Sequence, residues 1–194
     1  FTNRGIAAFP IDHPSLQWWR AMLDDPEFWP ALKNSLTIGS TVGVISAIIG
    51  TMAAMGLSRI DPRRAQSLTA LLCLPLMLPP LLLAVSLRTF YTQLAGIPLT
   101  LGTVILSHLL FTLPFVVLVV YSRMRNFDYR VVESARDLGA SQLRAFFTVT
   151  LPIIRPTVVG AALIAVSLSI DDFIITNFTI GGGVTLPTFV FGMI

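Results

Sequence analysis

An all-α bundle of membrane-spanning helices is the fold class this sequence predicts, and three observations predict it. Of its 194 residues 54% are hydrophobic and only 12% charged, about half the charged share of a soluble domain. Apolar runs of the length that crosses a bilayer, about 20 residues, recur along the chain. Arginine gathers in alternate connections between those runs, which is the bias that orients membrane proteins. A net charge of only +3 gives no reason to expect a nucleic-acid partner. The single cysteine, Cys73, excludes an internal disulfide and reads as an inert thiol in an apolar run.

Within residues 1–34, the first thirty residues lack the basic start and apolar core of a signal peptide. Trp18, Trp19 and Trp29 stand there among Asp24, Asp25 and Glu27. Too polar to span, this segment is expected to lie as an amphipathic helix along the outer interface, anchored in lipid by its aromatics. A chain that opens on Phe1 and stops at Ile194 within an apolar stretch is expected to be a fragment of a longer protein.

Four spans are expected in the membrane domain, residues 35–194. Ser35 to Leu57 is apolar without a charge. Leu68 to Leu87 is interrupted by Pro75, Pro79 and Pro80. Each proline removes a backbone bond and crowds the preceding turn, so this span should bend or break. Broken helices survive at membrane depth beside protein or a water-filled cavity, which places this span next to a pathway. Gly102 to Tyr121 carries His108 and Pro114, and His108 reads as a hydrogen-bonded packing residue. Pro156 to about Thr176 ends on the acidic pair Asp171 and Asp172.

The connections 58–67 and 122–155 hold nine basic residues against four acids, a net of +5, while the remaining segments carry a net of −2. Both basic connections are therefore expected in the cytoplasm. In the longer one, Asp128 fits the N-cap of a helix running to about Leu138, with Val131, Val132, Ala135 and Leu138 as an apolar stripe. Gly139 fits the left-handed residue that ends helices, and Ser141 the N-cap of the next. That second helix, from Gln142 to about Val149, should stop near Pro152. Such a corner presents a compact knob, either to a soluble partner or to the inner surface of the membrane domain itself.

Asp171 shares a face with Thr157, Gly160, Ile164 and Ser167, a face small or polar for most of its length. Asp172 follows Ala161, Ala165 and Leu168 on a neighbouring side. Carboxylates at that depth cost a few kcal/mol unless a cavity or partner receives them. The pair could attract a cationic solute, or could cap the helix where it meets the outer interface, with Arg88 as partner.

Glu133, Ser134 and Ala135, then Gly139, then Val149, Thr150, Leu151 and Pro152 resemble the EAA loop of ABC importer permeases. Its pattern is E-A-A, three residues, G, nine residues, I-x-L-P. Ser134 replaces the first alanine and Val149 the isoleucine. The similarity runs from about residue 15 to the end. It implies a type I ABC importer permease fold, with the four spans matching helices two to five of six. It further implies that Glu133, Ser134, Ala135, Gly139, Leu151 and Pro152 form the coupling element that docks on a cytoplasmic ABC ATPase dimer. The other implied partners are a second permease subunit and an extracytoplasmic solute-binding protein, in the cell's inner membrane. This chain has no phosphate loop of the G-x-x-x-x-G-K-[ST] type. No cofactor is expected in it; ATP and magnesium would sit on the partner ATPase.

Ser167 to Phe173, Phe178 to Gly182 and Thr185 to Pro187 are similar to the second permease of spermidine/putrescine importers. The resemblance implies a substrate pathway through Ser167, Asp171 and Asp172. One departure counts against it: where those permeases carry an acid after the proline of the second span, Pro79 is followed here by Pro80. Importers of ferric iron, thiamine, sulfate or phosphonate share much of the scaffold. An ion-coupled secondary transporter, and an intramembrane hydrolase built on His108 and the two aspartates, are the rival classes. The second lacks any metal spacing or nucleophile motif.

Overall fold

The structure, a computed structural model, describes residues 16–193, so the first half of the expected interfacial segment lies outside the described residues. Every regular element among them is helical. A short α1 (Gln17–Asp24) leads into α2 (Phe28–Leu57), which starts seven residues before the expected span. Trp19 and Trp29 are exposed, and the indole Nε1–H of Trp29 donates to the Leu23 carbonyl at 3.1 Å.

The second span is broken where its prolines stand. Helix α3 (Pro62–Leu72) begins on the carboxylate of Asp61, which accepts from the backbone of Arg63 at 3.0 Å. It gives way to a single tight turn, Leu74–Met77, and α4 (Pro80–Thr89) begins afresh on Pro80. Proline suits a first helical turn, whose N–H groups lack partners anyway. Among the described residues three helices are long and apolar enough to cross a membrane in one piece: α2, α5 (Leu101–Arg125) and the run Gln142–Asp171. The expected second span is instead divided between the shorter helices α3 and α4.

Helices α2, α5 and α8 (Leu151–Asp171) form the centre of the bundle. Two glycines let α2 and α8 approach. A Cβ on Gly39 would stand 2.6 Å from Ile170 Cγ1, and one on Gly43 would overlap Val166 Cγ2. Gly39 and Gly43 form a G-x-x-x-G pair, the spacing that lets helix backbones close together in lipid. Across the α2–α5 contact the hydroxyls of Ser46 and Thr112 meet at 2.9 Å, fully buried. The main apolar cluster combines Ala54, Val116, Val120, Met124, Ile154, Ala161 and Ala165.

The ends of the bundle alternate in step with the charge bias. At one end the Ser58 hydroxyl meets Tyr129 at 2.7 Å, joining the two basic connections. At the other, Asn34 donates to the Val184 carbonyl and the Leu186 N–H to Ser35, both at 2.8 Å.

The basic end carries α6 (Arg130–Asp137) and α7 (Gln142–Ala145). Here the structure corrects one expectation. The helix that starts at Gln142 does not stop near Pro152 but runs on into α8. A wide turn, Phe146–Thr150, precedes the proline, and the Leu151 N–H reaches back five residues to the Phe146 carbonyl. Such a turn loosens the backbone where proline would otherwise clash, and its longer bonds accommodate a residue with no N–H.

The last span also ends earlier than expected. Helix α8 stops at Asp171, Asp172 is extended at φ −72° and ψ 118°, and the chain resumes as α9 (Ile174–Thr179) and α10 (Leu186–Gly192).

Candidate functional site: a glycine corner and a broken acidic helix

The corner at the basic end is held by backbone geometry. Gly139 has φ +89°, the left-handed region where a side chain is strained. Its N–H donates to the Arg136 carbonyl at 2.9 Å, and that of Ala140 to the Ala135 carbonyl at 3.1 Å. This pair of bonds satisfies the last carbonyls of α6. Ser141 then accepts from the Arg144 N–H at 3.3 Å, opening α7. The N-cap position falls on Tyr129 rather than on the expected Asp128, which stands one residue before it and accepts from the Arg130 N–H at 3.0 Å.

The expected apolar stripe of α6 divides between two surfaces. Val132 packs on the main core together with Leu151, while Ala135 is half-buried and Val131 exposed. Leu138 is 90% exposed. Leu143 and Phe147, exposed on the following helix, extend the apolar surface and were not among the expected coupling residues. Glu133, Ser134 and Pro152 are exposed, and the Ser134 hydroxyl donates to the Arg130 carbonyl at 2.9 Å. Both readings of the knob thus hold part of the stripe: one side is anchored and the other is open.

At the other site the two aspartates take different directions. Asp171 is exposed, as are Gly160, Ile164 and Ser167 on its face. It has no hydrogen-bond or ion-pair partner among the described residues. It lines two cavities. One, about 1020 Å³, lies between α8 and α10 and includes Ser167, Phe173 and Phe191. The other, about 450 Å³, is walled by the broken span (Pro75, Leu76, Leu78, Pro80) with Phe111 and Leu168, and Asp172 lines it as well. The proline break therefore sits beside a cavity, as its sequence implied.

Asp172 faces inward with Ala161 and Ala165, both of which are in the main core. One of its oxygens, Oδ2, accepts from the Thr176 N–H at 2.8 Å and the Thr176 hydroxyl at 3.2 Å. The same atom lies 3.4 Å from His108 Nε2. His108 is 1% exposed and bonded on both sides: Nδ1 meets the Ser169 hydroxyl at 2.7 Å, Nε2 that of Thr176 at 3.0 Å. Arg88, the partner expected from sequence, is exposed and pairs with neither acid. Other polar side chains of α5 make separate contacts: Ser107 meets Tyr91 at 3.1 Å and Thr103 donates to the Thr179 carbonyl at 2.8 Å.

Sequence reasoning reached His108 as a packing residue but missed its partners. Ser169 and Thr176 lie three residues before and four after Asp172, a spacing that was readable only if the helix break between them was known. No group of three or more His, Cys, Asp or Glu able to hold a metal ion occurs among the described residues.

Comparison with known proteins decides the family. The profile described as "Binding-protein-dependent transport system inner membrane component" matches residues 46–194. The chain belongs to this family. Within the family's membrane components, it is 36% identical over 187 residues to the putrescine transport system permease protein PotI of Escherichia coli K12, covering 93% of this chain and 66% of that protein. It is 31% identical over 179 residues to the spermidine/putrescine transport system permease protein PotC of the same strain, covering 92% and 67%. The PotC protein of Haemophilus influenzae is 31% identical over 167 residues, covering 86% and 65%. The chain thus spans about two thirds of the length of the curated relatives it matches. Family membership agrees with the resemblance read from Glu133 to Pro152 and with the helical membrane bundle.

Proposed function

We propose that this chain is the permease part of an ATP-driven importer of polyamines, working in the cytoplasmic membrane with its basic end toward the cytoplasm. The observation that carries the reading is the similarity, over nearly the whole chain, to permeases named for putrescine and spermidine transport. The geometry agrees with it. A polyamine is a string of ammonium groups on a flexible apolar chain, and Asp171 offers an unpaired carboxylate between cavity walls of Leu, Pro and Phe.

In this reading the 131–151 corner docks in a groove of a separate ATPase dimer through Leu138, Leu143 and Phe147, with Gly139 fixing its shape. Nucleotide and magnesium are held by that ATPase. A second permease completes the pathway, and an extracytoplasmic binding protein delivers the solute. Closing of the ATPase on ATP moves the corner and swings the spans from inward- to outward-facing. No bond is made or broken in this chain.

One observation favours a different solute as the second reading. Pro80, where related polyamine permeases carry an acid, lines the same cavity as Asp171 and Asp172, so the broken span adds no further charge to that wall. The test is uptake by the intact importer, with its binding protein, in proteoliposomes loaded with ATP. Spermidine or putrescine should accumulate, and ferric iron, thiamine, sulfate and phosphonate should not. Uptake of one of those instead would overturn the polyamine assignment, and uptake without the ATPase would overturn the importer.

A further inference from the structure

We infer that the cavity between α3 and α5, at the arginine-rich end of the bundle, is a binding site for an anionic phospholipid, with the headgroup at its mouth and the acyl chains along its floor. The inference goes beyond the transport reading and needs only that the chain lies in a membrane.

The space exists because α3 buries a single residue against the bundle. That residue is Ala65, clustered with Leu57 of α2 and Val117 of α5. Beside it two rows of side chains face each other. Pro62, Gln66, Thr69 and Cys73 recur at i, i+4, i+7 and i+11 on one side, and Leu118, Ser122 and Arg125 at i, i+4 and i+7 on the other. They wall a cavity of about 760 Å³.

The wall grades from polar to apolar along the helix axes. Helix α5 ends at Arg125, so Leu118 lies about 10 Å deeper. Helix α3 runs the other way from Pro62, which puts Gln66 near the mouth and Cys73 about 10 Å further in. The mouth is thus Gln66, Ser122, Arg125 and Asn126, and the floor Ala70, Cys73 and Leu118. A phospholipid has the same order of polarity from headgroup to chain. A free phosphate has no apolar part for the floor.

Hydrogen-bond capacity and charge select the headgroup. Among the described residues the side chains of Gln66, Tyr121, Ser122, Arg125 and Asn126 have no hydrogen bond or ion pair within the chain. They offer amide, hydroxyl and guanidinium donors, which match the oxygens of a phosphate. Thr69 is the exception, its hydroxyl spent on the Ala65 carbonyl at 2.7 Å. Arg125 is the one charge in the wall, and no acid lines it. The acids nearest in sequence, Asp61 and Asp128, accept instead from backbone N–H groups of the helices that follow them. A zwitterionic headgroup would bring an ammonium with no carboxylate to meet it, whereas a net negative one is matched by Arg125. Basic pockets between membrane helices hold such headgroups.

The experiment uses the assembled importer in vesicles of phosphatidylcholine alone or mixed in equal parts with phosphatidylglycerol. Cys73 is the single cysteine of this chain and lines the cavity floor, so its modification by N-ethylmaleimide reports whether the cavity is filled. Protection is the ratio of its reaction rates in the two vesicles, read from the mass of this chain. Phosphatidylglycerol should protect about fivefold, the scale of one arginine at an anionic surface. Arg125→Gln should remove most of that protection and lower the phosphatidylglycerol retained per purified complex. Arg123→Gln, exposed on the same helix but outside the wall, should change neither. Equal rates in both vesicles overturn the inference, whether Cys73 reacts freely because water fills the cavity or not at all because a protein partner covers it. Protection that survives Arg125→Gln overturns it too, as the mark of surface potential alone. So does protection by inorganic phosphate in phosphatidylcholine vesicles, which identifies a free anion as the occupant.

Discussion

Replacing Gly139 isolates the conformational demand of the corner between α6 and α7. A Cβ placed there meets no atom within 4 Å, so a side chain has room and any penalty comes from the backbone. At φ +89° an L-residue pays about 1–2 kcal/mol. Escaping that strain would break the bonds to Arg136 and Ala135, each worth about 0.5–1.5 kcal/mol. Either way the native corner becomes less populated by a factor of about 5–30. Gly160 is the internal control. It too has open space where a Cβ would stand, but it lies inside α8 at helical φ, where alanine is favoured by about 1 kcal/mol. Gly139→Ala should therefore reduce ATPase co-purification and uptake severalfold, Gly139→Val should abolish both, and all should still insert in the membrane. Gly160→Ala should leave them unchanged. Equal behaviour of Gly139→Ala and Gly160→Ala would refute the reasoning, because both sites have room for a methyl group and differ in φ.

Two further outcomes follow from the packing of the central helices. Gly43→Ala should destabilise the bundle by about 1–3 kcal/mol, because the new methyl overlaps Val166 Cγ2. Adding Val166→Ala should restore much of the loss, and thermal unfolding of single and double variants checks it; no restoration would mean that the backbones, not these side chains, set the α2–α8 distance. Ser46→Ala and Thr112→Ala should each cost about 0.6 kcal/mol, with an upper range near 1.7. A double-mutant cycle with zero coupling energy would show that the hydroxyls do not share a bond.

Much of this architecture could be read from residue order because membrane constraints are one-dimensional. Apolar length gave α2 and α5, arginine placement gave the alternation of ends, and Gly139 with Ser141 gave the corner down to its backbone sign. What could not be read depended on neighbours distant in sequence. Pro152 looked like a stop because the wide turn before it, built by Phe146–Thr150, has no signature in composition. Helical spacing put Asp172 on a neighbouring side from Asp171, but not the end of α8 between them, which depends on packing against distant residues. The Gly39–Gly43 spacing went unread, and nothing local identifies α8 as its partner.

The passage of the helix through Pro152 has a mechanical consequence. From Gln142 to Asp171 the chain is one rod of 30 residues, about 45 Å long. One tip carries Leu143 beside the corner and the other carries Asp171 beside the cavities. With the wide turn at Phe146–Thr150 held in shape, a tilt of about 10° around the midpoint displaces each tip by roughly 4 Å in opposite directions. Movement at the basic end is then carried to the carboxylate end along one continuous helical run, and the wide turn is the place where that run can flex.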